Sequence, residues 1–180
     1  MKSIYLPVFE FVNFEDIGSF LNWLSAVPSG RISFIKMQKT APVRSTKLGP
    51  MLRLLEQLAF IVKEKDAVFI SASGMRYSLA ELAAKKVMIK NQFLITSPMW
   101  NLLNHLETSN TGRLTKNEVF GILKSESTIQ ITEKMTLGIM AWGHCCELFY
   151  FDETSQEISR ILVGHPSPGG NNSGVLQKAA

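Results

Sequence analysis

Cysteine is scarce in this chain and badly placed for cross-linking: there are two, adjacent at Cys145 and Cys146. Neighbouring cysteines rarely bridge each other and nothing else can pair with them, which points to a reducing, cytoplasmic setting. Long apolar runs are missing as well. No stretch approaches the roughly 18 uninterrupted apolar residues of a spanning helix, so no membrane insertion is expected. Near the N-terminus one lysine precedes Ile4 to Phe9, a run broken by Pro7 and too short for a signal peptide. The dipeptide Gly-Lys never occurs, so there is no phosphate-cradling loop with its lysine, and no nucleotide hydrolysis is expected. Serine, histidine and carboxylates stand in no recognisable catalytic frame, so the chain does not read as an enzyme and needs no cofactor.

Metal ligands are equally sparse. His144, Cys145 and Cys146 form the one dense group, and three consecutive side chains cannot converge on an ion without a sharp turn. His105 and His165 are distant in sequence, so no metal site is expected.

What is present describes a folded chain with a sizeable core. Apolar residues make up 46% of the 180 and charged residues 19%, which excludes a disordered tail as the whole molecule. The formal net charge of +4 permits nucleic-acid binding without demanding it.

The word order repeats. Gly30-Arg31-Ile32-Ser33 recurs as Gly112-Arg113-Leu114-Thr115, each time between two helical patterns. Each half then closes with an apolar run, a charged turn and a second short run. These are Phe60 to Val62, Lys63 to Asp66 and Ala67 to Ile70, then Leu148 to Phe151, Asp152 to Gln156 and Glu157 to Leu162. Helices followed by a hairpin, twice, predict a mostly helical α+β fold of tandem winged-helix-like units joined by a long helix. The expected division is a first unit over 1–72, a connector over 73–96, a second unit over 97–163 and a disordered tail over 164–180.

Local signals place the elements. Asn13 caps a helix carrying Ile17, Phe20, Leu21 and Leu24 at helical spacing, with Glu15 and Asp16 at its positive end. Ser33 caps a second helix through Lys39. A third runs from about Thr46 to Leu58, with Pro50 tolerated early in it. Ser71 to Gly74 caps one long connector to about Leu94, with Met75, Leu79, Leu82, Ala83, Ile89 and Phe93 inward and Lys85, Lys86 and Lys90 outward. In the second half Ser97-Pro98 opens a helix with a Trp100, Leu103, Leu106 stripe. Thr115 and Glu118 make a capping box, and Thr132 opens a third helix that Gly143 can end.

Charge is unevenly distributed. Residues 31 to 65 hold eight Lys or Arg against two Glu. In a winged helix the third helix enters a DNA groove and the wing touches phosphates. Arg44, Lys47 and Arg53 on or before that helix, with Lys63 and Lys65 on the wing, are the candidate nucleic-acid contacts; a solvated face is the plainer alternative. The second wing, with Asp152, Glu153 and Glu157, would repel phosphate.

A further pattern lies at Met140 to Arg160: Trp142-Gly143, then Glu147-Leu148-Phe149, then an aromatic and Asp152 before a polar turn. It resembles the AAA-associated domain typically fused behind the ATPase of nitrate/sulfonate/taurine-type ABC transporters. Leu54-Leu55-Glu56-Gln57-Leu58 leading into Phe60 and Val62 resembles that family's helix before its first strand. Ser71-Ala72-Ser73-Gly74 resembles its strand-to-helix turn, with Ala72 where proline is usual. Ala80-Glu81, Lys85-Lys86 and Phe93 resemble its connector. The resemblance covers about residues 13 to 161 and implies a cytoplasmic, non-catalytic regulatory domain. Its implied partner is a transporter ATPase or another protein, with DNA and a second copy of the chain also open. A stand-alone member and the C-terminal piece of a larger ATPase fit equally. Trp142, Phe149, Tyr150 and Phe151 would be mainly core.

Overall fold

The computed structural model describes residues 6–95 and 97–161; the expected tail over 164–180 lies outside the described residues. A 3-10 helix, Leu6–Glu10, comes first. Then follow α1 (Phe14–Ser25), β1 (Arg31–Ser33), α2 (Phe34–Thr40), α3 (Ser45–Gln57), β2 (Ile61–Lys63) and β3 (Ala67–Ile70). Next are α4 (Ala72–Leu79) and α5 (Leu82–Phe93). The second half runs α6 (Ser97–Thr108), β4 (Arg113–Thr115), α7 (Lys116–Glu126), α8 (Glu133–Cys145), β5 (Tyr150–Asp152) and β6 (Glu157–Ser159). Each half therefore reads helix, strand, two helices, two strands, which is the winged-helix order.

The two sheets match strand for strand. The first is ordered β1-β3-β2 and the second β4-β6-β5, all antiparallel. Ile32 lies opposite Val68, and Leu114 opposite Ile158, and all four are buried. Side chains alternate along a strand, so this register turns Arg31, Phe69 and Val62 to the outer face of the first sheet.

The repeated words do repeated work. Gly30 and Gly112 both adopt positive φ, 58° and 64°, ahead of their strands. Ser33 and Thr115 each cap the helix that follows, accepting from Lys36 N–H and Glu118 N–H. After α3 the chain reverses through Ala59 at φ 58°, and after α8 through Glu147 at φ 56°. Phe60 N–H then bonds back to Leu55 O at 2.8 Å, and Leu148 N–H to Gly143 O at 2.9 Å. Both third helices thus end in the same left-handed turn, whose backward bonds satisfy carbonyls that the helix leaves open.

Several sequence expectations need correction. The connector is not one helix. It breaks at Ala80 and Glu81, whose ψ angles of 153° and 163° are extended. The reason is tertiary. Tyr77 on α4 packs on Phe14 and Phe60, while Phe93 on α5 packs on Phe9 and Trp142, and the corner at Ala80–Glu81 lets one segment reach both ends of an aromatic core that the Phe14–Trp142 contact makes continuous. Leu79 and Leu82, expected inward, flank that corner and are 80% and 61% exposed. In α6 Leu106 is buried as expected and Leu103 half-buried, but Met99 and Leu102 fill the rest of the buried stripe and Trp100 is 41% exposed. α6 begins at Ser97. Pro50 lies inside α3 beyond its first turn. Gly143 sits inside α8, not at its end, and Cys146 is the cap.

The core is continuous across both halves, and the segment before α1 joins them. Leu6, Val8, Phe9 and Val12 are buried. The 3-10 helix packs on α3 of the first unit and on α8 of the second. Its approach to α8 is close: a Cβ on Gly138 would stand 2.1 Å from Phe9 O, so only glycine admits the segment there. The connector is tied to the second unit as well. Lys90 donates to Glu147 O at 2.7 Å, and Lys86 pairs with the Glu147 carboxylate at 3.3 Å.

Candidate functional site

The five basic residues singled out for nucleic-acid contact fall on α3 and the first wing, but they do not form one free surface. Lys47 pairs with Asp16 at 2.7 Å, and Lys63 pairs with Glu56. Arg53 is exposed and engaged in interactions of its own. Arg44 stands at the N-cap of α3 and Lys65 in the turn between β2 and β3, both exposed. Along α3 the residues Leu48, Met51, Leu52, Leu54 and Leu55 are buried. What remains exposed on the helix is a stripe of Ser45, Thr46, Gly49, Arg53 and Glu56, with one cation and one carboxylate, while Lys47, Pro50 and Gln57 are half-buried. α8 is comparably enclosed, burying Met135, Thr136, Ile139, Met140, Trp142 and Gly143.

Two of the five residues meet elsewhere. Arg44 and Lys47, with Thr46, form one wall of an open cleft of about 410 Å³. The crossing from Glu10 to Asn13 forms its floor, and Lys134 from the first turn of α8 closes it from the second unit. The Asn13 side chain accepts from Asp16 N–H at 2.8 Å, and Asp16 returns a bond to Asn13 N–H at 3.1 Å, a reciprocal cap on α1. Glu10 accepts from the Thr132 hydroxyl at the cap of α8. Lys134 Nζ lies 5.3 Å from the centre of the Phe11 ring. Sequence reading missed Lys134, because its proximity to Arg44 depends on the 3-10 segment holding α3 and α8 together. No local pattern encodes that.

The His-Cys-Cys run diverges. His144 Nδ1 accepts from Phe151 N–H at 3.2 Å, and its ring meets Tyr150 edge-on at 5.3 Å. Cys145 is exposed and Cys146 buried. Burial pushes both thiols up, Cys146 well beyond the ordinary thiol range. Among the described residues no three His, Cys, Asp or Glu converge as a metal site.

The Trp-Gly and Glu-Leu-Phe words hold the second unit together. Trp142 Nε1–H donates to Val12 O at 2.9 Å, in the buried seam between the halves. Phe149 and Phe151 are core, while Tyr150 is 45% exposed.

The fold and its seam define a tandem winged-helix-like module. The family model of the C-terminal AAA-associated domain matches residues 36–152, from α2 through β5, and the chain belongs to that family. The family's name places it in an AAA ATPase context. No curated protein and no solved structure matches the chain. No helix among the described residues is long and apolar enough to cross a membrane.

Proposed function

We propose that this chain is a non-catalytic regulatory domain that acts, on the cytoplasmic side, by protein contact with the ATPase of a nitrate/sulfonate/taurine-type ABC transporter. The observation that carries this reading is the enclosure of both third helices. In a winged helix that reads DNA the third helix must be free to enter a groove. Here α3 and α8 both pack on the Leu6–Glu10 segment, and α3 exposes one stripe, Ser45, Thr46, Gly49, Arg53 and Glu56, with a single cation in it. Two of the candidate phosphate contacts are already in ion pairs, Lys47 with Asp16 and Lys63 with Glu56. Membership in a family named for AAA ATPases supplies the partner class.

The contact surface fits the corner between α4 and α5. Leu79 and Leu82 project there at 80% and 61% exposure, with Val87 at 53%. Ile35 and Val62 are exposed elsewhere, but at this corner Leu79 and Leu82 stand together on one turn of chain, and neighbouring apolar side chains left in water favour a partner's surface. The test is capture of the purified cognate ATPase on the immobilised chain, run beside a Leu79→Asp/Leu82→Asp variant. Capture by the parent chain and loss by the variant support the reading; no capture by the parent chain rejects it.

A further inference from the structure

We infer that the cleft between Arg44 and Lys134 binds a small organic oxyanion and, in doing so, clamps the two winged-helix-like units together. Its volume, about 410 Å³, falls within the range of small-molecule sites. Its charge is the more telling feature. Among the cations lining it, Lys47 is neutralised by Asp16. Arg44 and Lys134 have no ion-pair partner among the described residues. The Glu10 carboxylate is held by the Thr132 hydroxyl. Two cations outside ion pairs, Arg44 and Lys134, therefore line one cleft against the single carboxylate of Glu10, which leaves the lining net positive, and a planar or tetrahedral oxyanion is the partner a guanidinium and an ammonium recognise together.

The surroundings favour an organic anion over a bare one. Phe11 is 39% exposed and lines the same cleft, beneath the Lys134 ammonium, so an apolar body can rest on its ring while the charged head meets Arg44 and Lys134. At the adjoining end of α3, Arg44 occupies the N-cap without a side-chain bond to the first-turn N–H groups, whereas Asn13 caps α1 and Thr132 caps α8. The positive end of α3 adds to the field of the two side chains.

The location gives the site a regulatory role. Arg44 belongs to the first unit and Lys134 to the second, and the crossing from Phe9 to Asn13 lines the same cleft with Thr46 and Lys47. An anion held by both stabilises the packed arrangement of the two units, increasingly as its concentration rises above its Kd, by mass action. The site belongs to the chain itself, so its failure would leave the ATPase reading standing.

The experiment is a thermal unfolding titration of the whole chain with benzoate and with inorganic sulfate, each against sodium chloride at matched ionic strength. The expected result is a saturable rise in Tm for both, with benzoate half-saturating at the lower concentration. Arg44→Gln and Lys134→Gln should each weaken binding about tenfold, the loss of one charge-assisted contact. Lys65→Gln, which removes an exposed cation outside the cleft, should leave it unchanged. Should Arg44→Gln fail to fold, Lys134→Gln, an exposed side chain, carries the comparison. A rise that never saturates, or one equal in the parent chain and Lys134→Gln, would mean an adventitious ionic effect only and would overturn the proposal.

Discussion

The ring of Phe149 fills the space that a side chain at position 143 would need. A Cβ on Gly143 would lie 2.0 Å from Phe149 Cζ, and within 2.6 Å of both neighbouring ring carbons. One turn of α8 therefore does two jobs at once. Trp142 reaches forward to bond Val12 O, and Gly143 leaves room for the aromatic that returns after the left-handed turn at Glu147. The spacing from Trp-Gly to Glu-Leu-Phe is the length of that turn. The motif is architectural, and its substitution should cost stability before it costs any function.

Gly143→Ala should destabilise the chain by about 3 kcal/mol, because the ring edge is rigid and core overpacking is costly. Denaturant unfolding monitored by tryptophan fluorescence checks this. Adding Phe149→Leu should recover part of the loss, since the two changes share one space and are not additive. Strict additivity in the double variant would mean that the clash is not the cause.

Trp142→Phe keeps an aromatic in the core but removes the donor to Val12 O, leaving a buried carbonyl unpaired. A loss of about 1–3 kcal/mol is expected. The effect should concentrate in the seam, with amide exchange at residues 6–12 accelerating more than in α7. Uniform acceleration across both units would deny the Trp142–Val12 bond its role as the tie between halves.

Tyr77 presents the opposite case. Its hydroxyl is buried with no hydrogen-bond partner among the described residues, and burial pushes the phenol far above its ordinary range. Removing an unpaired buried hydroxyl while keeping the ring should be neutral or stabilise by about 1 kcal/mol. Tyr77→Phe therefore should not lower Tm; a fall of several degrees would show that the hydroxyl is satisfied.

The two adjacent thiols should behave as different residues. Cys145 is exposed and Cys146 fully enclosed. Treating the native chain with an alkylating reagent should modify Cys145 alone, and Cys146 only once the chain unfolds. Mass mapping of the modified peptides decides it, and equal labelling of both in the native state would contradict the packing of the α8 turn.

Much of this fold is legible in the sequence because its signals are local. Asn13, Ser33, Thr115 and Thr132 announce helix starts through their own side chains, and all four cap as expected. Both hairpins follow from pairs of short apolar runs around charged turns. What escapes local reading is set by distant packing. No glycine or proline marks the break at Ala80–Glu81; on either side of it Tyr77 and Phe93 are held at different places in one aromatic core. The left-handed turns at Ala59 and Glu147 carry neither glycine nor asparagine, so they too are silent. Gly143 reads as a helix end by composition and is a helix interior by contact. The basic stretch was visible as charge, but its pairing with Asp16 and Glu56, and the meeting of Arg44 with Lys134 across the seam, depend on tertiary neighbours.

The measurement that bears most directly on the central claim is fluorescence anisotropy of the labelled chain, titrated at physiological salt with the cognate transporter ATPase and, in parallel, with duplex DNA. The account predicts saturable binding to the ATPase that Leu79→Asp/Leu82→Asp abolishes. With DNA it predicts no saturable binding, since α3 and α8 are enclosed. Binding to duplex DNA that weakens steeply with salt and with Arg53→Ala, together with none to the ATPase, would contradict it.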